Sequence, residues 1–374
     1  MTKKIVFLTG TRADFGKLKP LINKVEKTKF FECYIFVTGM HTLSKYGATF
    51  HEVKKEGYKN IFIYMNQAID SSMDIILANT IIGFSNFVKE ITPDMIVIHG
   101  DRVEALAGAI VGSFNNILVG HIEGGEISGT IDELIRHATS KLSHSHFVAN
   151  KEAKKRLLQM GEINKNIFVI GSPDIDVMKS NNLPTIKEAK KRYDISFPEY
   201  AILLYHPVVT ELEKIRADIG EIVSATIDSN KKYVVIYPNN DAGSSIILEE
   251  YKRFKGLENF KLFPSLKFEF FLTLLKHSKF IIGNSSAGIR EAGVFAVPAI
   301  NIGNRQKNRS KNKDIINIET KKKNIMEAIQ SIDNIKIKPV SYFGDGNSAK
   351  KFYEIISNNK FWNINVQKQF SDLK

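Results

Sequence analysis

Three carboxylates stand where chemistry is expected. An apolar run, Asp94-Met95-Ile96-Val97-Ile98, stops at His99-Gly100-Asp101-Arg102. A second, Ile117-Leu118-Val119-Gly120, stops at His121-Ile122-Glu123-Gly124-Gly125, and Asp132 follows at the next junction. In parallel α/β sheets ligands bind beyond the carboxyl ends of the strands. Carboxylates gathered in one site split their pKa values, one kept as an acid and another ionised as a base. Plainer roles stand beside this one. Asp101 suits an N-cap for a helix from Arg102, and Asp132 suits a cap for the helix holding Leu134 and Ile135. Glu123 has Arg102 and Arg136 as salt-bridge partners within reach of the chain.

Two loops read as anion sites. Gly10-Thr11-Arg12-Ala13-Asp14-Phe15-Gly16-Lys17 follows a first strand, Lys4 to Thr9. A tight turn there presents backbone N–H groups and one guanidinium at a helix N-terminus. It is neither GxGxxG nor a P-loop, and Arg12 as a cap or an ion-pair partner is equally open. Gly283-Asn284-Ser285-Ser286-Ala287-Gly288 is a small, hydroxyl-rich loop that cradles phosphate by mechanism; its plainer reading is a tight turn with serine caps. Glu291, in the first turn of the next helix, is placed to accept ribose hydroxyls. His41, His99, His121 and His206 all sit at strand ends, without metal-ligand spacing. Arg305 and Arg309 read equally as substrate contacts and as a solvated basic loop.

The elements that carry these residues alternate. Val103 to Phe114 is a helix with an Ala/Gly-rich face between the two apolar runs. Phe31 to Thr38, Ser145 to Asn150 and Ile167 to Ile170 read as strands, and Ser71 to Ile91 and Lys151 to Met160 as helices. Leu43 to Asn66 reads as loop-rich. After a lysine-rich stretch the alternation restarts. Tyr200 to Tyr205, Lys232 to Tyr237, Lys279 to Ile282 and Val297 to Ile300 are strands; Glu213 to Asn230, Leu266 to His277 and Ile289 to Phe295 are helices. The expected class is α/β, two Rossmann-like doubly wound parallel-sheet domains. The domains are placed at 1–177 and 178–350, with 351–374 as closing helices that include the Trp362 to Phe370 tail.

The bulk numbers agree with that division. A chain of 374 residues exceeds one ordinary core. No apolar run approaches the roughly 18 residues that span a bilayer, and Met1 to Leu8 reads as a strand rather than a signal peptide. The single cysteine, Cys33, excludes an internal disulfide and fits a reducing cytoplasm. A net charge of +13 suits an anionic partner, though most lysines read as solvated helix faces. No nucleic-acid module, zinc-ligand cluster or internal repeat is visible.

Taken in order, Gly10-Thr-Arg-Ala-Asp14, His99-Gly-Asp-Arg102, His121-Ile-Glu-Gly-Gly125, Gly129-Thr-Ile-Asp132 with Arg136-His137, Gly171-Ser-Pro173 and Gly283-Asn-Ser-Ser-Ala-Gly-Ile-Arg-Glu291 form a distinctive set. With it the chain resembles the hydrolysing UDP-N-acetylglucosamine 2-epimerases of bacterial sialic-acid pathways, over essentially its whole length. Arg102, Gly125-Glu126 and Asp132 favour that branch over the non-hydrolysing enzymes, whose counterparts read HGDT, HVEAGLRT and PEE-A-N-R. The resemblance implies a GT-B-like fold with UDP in the interdomain cleft. It implies Arg12 and Lys17 as UDP-sugar contacts, Ser285 and Ser286 as the phosphate-binding hydroxyls, Glu291 at the ribose and Phe271 against uracil. It makes Asp101, Glu123, Asp132 and His206 catalytic. No metal or organic cofactor is implied. A cytoplasmic homo-oligomer, dimer or tetramer, is, with neither nucleic acid nor membrane as partner.

The implied chemistry is elimination followed by hydration. A base removes the proton on sugar carbon 2 while the anomeric C–O bond breaks, giving 2-acetamidoglucal and UDP. Water then adds with the opposite stereochemistry to give N-acetylmannosamine. Such a base contributes roughly 10²–10⁴-fold; Asp101 is the expected one, with Glu123 and Asp132 handling protonation and water. Three rival readings stay open: the same reaction on UDP-2,4-diacetamido-2,4,6-trideoxyglucose, a GT-B glycosyltransferase, and a non-catalytic UDP-sugar sensor.

Overall fold

Short apolar strands alternate with helices, and the chain divides into two compact units. One comprises Met1–Glu126, Asp132–Asn181 and Tyr342–Lys374; the other, Ile127–Ile131 and Asn182–Ser341. The structure, a computed structural model, describes residues 2–128, 130–306, 315–332, 335 and 337–372. The breaks fall at 181/182 and 341/342, against 177/178 and 350/351 read from sequence, so the stretch from 342 onward belongs to the first unit.

In the first unit the elements run β1 (Lys3–Thr9), α1 (Arg12–Glu26), β2 (Phe31–Val37), α2 (Phe50–Lys55), β3 (Asn60–Ile63), α3 (Met73–Ile91), β4 (Met95–His99), α4 (Val103–Phe114), β5 (Leu118–Ile122), α5 (Ile131–Leu142), β6 (Ser145–Val148), α6 (Lys151–Gln159), β7 (Ile167–Val169) and α7 (Pro173–Met178). The strands form one parallel sheet in the order β3-β2-β1-β4-β5-β6-β7. Side chains of a strand alternate between faces, and β1 shows it. Ile5 and Phe7 pack with Leu18, Leu21 and Phe352, while Val6 and Leu8 pack with Phe84, Phe87 and Ala109. The small residues of α4 let it lie close on the sheet: a Cβ on Gly112 would stand 2.3 Å from a methyl of Val119.

The second unit holds α8 (Ile186–Arg192), β8 (Ala201–Leu204), α9 (Ile215–Asp228), β9 (Tyr233–Ile236), α10 (Ser244–Tyr251), β10 (Phe260–Phe263), α11 (Phe268–Lys276), β11 (Ile281–Gly283), α12 (Glu291–Val294), β12 (Ala299–Ile302), β13 (Ile315–Ile318) and α13 (Lys322–Ser331). Its parallel sheet runs β10-β9-β8-β11-β12-β13. Both sheets therefore reverse strand order beside their first strand, at β1/β4 and at β8/β11. That is where a doubly wound sheet opens a crevice for ligands.

After the second unit the chain returns as α14 (Ser348–Ile356), which packs on α1 and α7. The Trp362 to Phe370 tail is not a helix. It makes a single 3₁₀ turn over Asn359–Asn363 and then runs irregularly, the turn closed by Trp362 Nε1–H donating to the Ile356 carbonyl (2.7 Å). The loop-rich reading of Leu43 to Asn66 is corrected as well, since it contains α2 and the edge strand β3. Among the described residues no helix is long and apolar enough to cross a membrane.

Candidate active site

Arg136 is fully buried on α5, and the carboxylates gather around it. Its Nη2 pairs with Asp101 Oδ2. Its Nη1 donates to the Glu123 carbonyl (3.0 Å) and lies 3.9 Å from Glu123 Oε2. Burial by itself would lower the guanidinium pKa, yet the charges of Asp101, Glu126, Glu123 and Asp132 override that and raise it. So the three acids read from sequence converge, through one arginine. Two of the plainer readings fall here. Arg102, not Asp101, is the N-cap residue of α4, and Asp132 lies inside the first turn of α5. Arg102 points to Glu104, 3.6 Å away.

Glu123 is 3% exposed and has φ +66°, a left-handed conformation that costs a non-glycine residue strain. Its carboxylate is faced by groups from four segments. Ser172 Oγ–H donates to Oε1 (3.0 Å), His99 Nε2 lies 3.5 Å and Lys17 Nζ 3.6 Å from the same oxygen, and Arg136 flanks Oε2. Lys17, grouped by sequence with the UDP-sugar contacts, is thus a buried counter-charge to Glu123.

The first βα turn is corrected in detail. Its amides do not stand ready for an outside anion, because Asp14 fills the place: Gly10 N–H donates to Oδ2 (3.0 Å), Thr11 N–H to Oδ1 (3.1 Å), and the Thr9 hydroxyl to Oδ1. Thr11 and Asp14 form a capping box. Arg12 begins α1 and its Nη2 donates to Glu52 Oε1 (2.6 Å).

The second unit assembles its own set at β8/β11. Gly283 takes φ +139°, and a Cβ there would stand 2.0 Å from the Leu204 carbonyl oxygen; only glycine lets the loop leave β11 so close to β8. Asn284 is fully buried and bridges the His206 backbone, accepting from N–H (2.7 Å) and donating to C=O (2.8 Å). Asn239 N–H donates to His206 Nδ1 (3.0 Å), which leaves the proton of the neutral ring on Nε2. Ser285 caps a 3₁₀ turn, its Oγ accepting from Ala287 N–H (3.3 Å), and Ser286 begins that turn. The expected helix Ile289 to Phe295 is only α12, with Glu291 as its first residue, 3% exposed. The phosphate reading of this loop accordingly rests on its hydroxyls and amides, not on a long helix dipole. Phe271 lies on the buried face of α11, which packs against α12.

Arg305 is 9% exposed and its Nη1 reaches the Asn284 carbonyl (3.4 Å), where Gln306 Nε2 also donates (2.9 Å). A solvated loop is ruled out for Arg305; Arg309 and Gly129 lie outside the described residues. His41 and His121 are structural. Burial pushes them down to about 4 and about 3; His121 is held by the Gly100 carbonyl and Ser140, and His41 by Thr9 and Thr49. Ser172, Asn284 and the buried Glu104 were not singled out from sequence. Ser172 and Asn284 lie inside motifs that were, but their partners are far away in the chain and no spacing reveals them.

Two doubly wound parallel sheets, each with polar side chains at the point where strand order reverses, make up a GT-B-like two-domain fold. The chain belongs to the UDP-N-acetylglucosamine 2-epimerase family, whose family model matches residues 23–357. It is 47% identical to UDP-N-acetylglucosamine 2-epimerase of Neisseria meningitidis serogroup B, over 99% of both chains. It is 33% identical to UDP-N,N'-diacetylbacillosamine 2-epimerase (hydrolyzing) of Legionella pneumophila, over 95% of this chain and 96% of that one. In fold it matches a crystal structure of UDP-GlcNAc 2-epimerase from Neisseria meningitidis bound to UDP-GlcNAc, with TM-score 0.79 and 20% identity over 95% of this chain and all of the other.

Proposed function

We propose that this protein is a hydrolysing UDP-GlcNAc 2-epimerase, converting UDP-GlcNAc and water to N-acetylmannosamine and UDP. The observation that carries the reading is the convergence of Asp101, Glu123 and Asp132 on Arg136, in a chain 47% identical end to end to a UDP-GlcNAc 2-epimerase. Asp101 takes the proton from carbon 2 as the anomeric C–O bond breaks, and UDP departs with the bonding pair. Water then adds to the glucal, hydroxyl to carbon 1 and a proton to carbon 2 from the opposite face, with Glu123 and Asp132 passing the protons. Ser285, Ser286, Arg12 and the Nε2–H of His206 stabilise the departing diphosphate, by donors fixed before the charge develops. Glu291 takes the ribose hydroxyls and Phe271 the uracil. The product would enter sialic-acid synthesis for a surface polysaccharide, in the bacterial cytoplasm, and the enzyme would work as a homo-oligomer.

The 33% identity to a diacetylbacillosamine epimerase, over nearly the whole chain, supports a second substrate, UDP-2,4-diacetamido-2,4,6-trideoxyglucose. Proton NMR in D₂O with each nucleotide sugar, and no acceptor, decides. The expected spectrum shows UDP and N-acetylmannosamine deuterated at carbon 2. Turnover of the diacetamido sugar alone would install the second substrate; turnover of neither would overturn the hydrolysing reading.

A further inference from the structure

We propose that Ser172 is a positioning residue for Glu123, and that the returning chain at Phe343 fixes it for this task. Ser172 is fully buried just beyond β7. It occupies the N-cap position of α7, where a serine hydroxyl ordinarily accepts from the helix's own N–H groups, yet its side chain makes no cap bond. The hydroxyl instead donates to Glu123 Oε1 (3.0 Å), across 49 residues of sequence. Its backbone is held from the other side. Ser172 N–H donates to the Phe343 carbonyl (2.7 Å), and Gly344 fits against Gly171, where a Cβ on Gly344 would stand 3.0 Å from the Gly171 Cα.

The other groups facing Glu123 are charged or chargeable: Lys17 from α1, His99 from the end of β4 and Arg136 from α5, with Asp101, Glu126 and Asp132 behind the arginine. Ser172 is the neutral donor among them. A hydrogen bond given to a carboxylate favours its ionised form, so Ser172 sets both the aim and the proton affinity of Glu123. This rests on the proposed role of Glu123 in proton transfer.

The test compares full-length wild type, Ser172→Ala, Ser172→Thr and Glu123→Gln for kcat, KM and the pH dependence of kcat/KM. Loss of a charge-assisted hydrogen bond predicts that Ser172→Ala lowers kcat about ten-fold with KM within about two-fold. The pH limb that Glu123 controls moves up by about one unit, and Ser172→Thr restores both. An alanine variant with wild-type kcat and an unmoved limb overturns the inference, as does a threonine variant no better than alanine. If Ser172→Ala melts below the assay temperature, Ser172→Cys, with a weak donor of similar size, takes its place in the comparison. An inactive wild type, or an active Glu123→Gln, would instead sink the parent reading.

Discussion

Arg136 is the only cation fully sealed among four carboxylates that the described residues show in the first unit. Removing one partner of a buried ion pair costs about 3–5 kcal/mol because the remaining charge stays buried. Arg136→Met is therefore expected to lower the melting temperature sharply, and calorimetry reads it; a melt close to wild type would mean the carboxylates do not depend on this group. Asp101→Asn keeps size and hydrogen-bonding shape but cannot accept the carbon-2 proton as a carboxylate does. It is expected to lose deuterium wash-in at carbon 2 while still binding UDP, and wild-type wash-in would give the base role to another residue. Asp101 and Glu123 were legible because each follows an apolar run that is a strand, and Asp132 because it stands at the next junction, which proves to be the first turn of α5. Their environment was not. Lys17 beside Glu123 and Asn284 beneath His206 are contacts between segments far apart in sequence, and only the packing of the sheet brings them together.

Most strands and helices were legible because parallel strands buried on both faces are unbroken apolar runs. The ones missed have physical reasons. β3 is an edge strand of four residues, none of them buried, and β10 and β13 are edges of the second sheet, so their burial pattern is weak. The amides of the first turn are taken up by a signal that was present in the sequence: in Thr11-Arg-Ala-Asp14 an acid stands three positions after a threonine, the pattern of a capping box. At the β11 turn the glycine is required by the backbone. Gly283→Ala would force a side chain into φ +139° and against the β8 backbone, a strain of order 1–3 kcal/mol before the clash is counted. The expected result is a lower melting temperature and loss of the extra stability that added UDP gives; a thermal shift by UDP equal to wild type would show that this loop does not hold the nucleotide.

The folded molecule also carries an acid liability. His41 and His121 are buried neutral, with pKa values pushed down to about 4 and about 3, and burial lowers His144 and His146 too. In the unfolded chain each titrates near about 6.5. Between those values the unfolded chain binds protons that the folded one refuses. Stability present above about pH 6.5 is therefore lost as pH falls toward 4, at up to about 1.4 kcal/mol per pH unit for each such group. Urea midpoints measured from pH 7 to pH 4.5 should decline steadily, and a flat profile would contradict the neutral assignment. The interrupted first unit has a different consequence, for the order in which a ribosome delivers the parts. Residues 182–341 emerge, with β8 to β13 all present, before the stretch that starts at Tyr342 exists. Until then Phe7 and Phe147 lack Phe352, whose ring centre lies 6.4 Å and 4.8 Å from theirs, and Ser172 lacks Phe343. Translation thus completes the second-begun unit first, and Ser172 stays without its Phe343 anchor until the chain has come back to where it started.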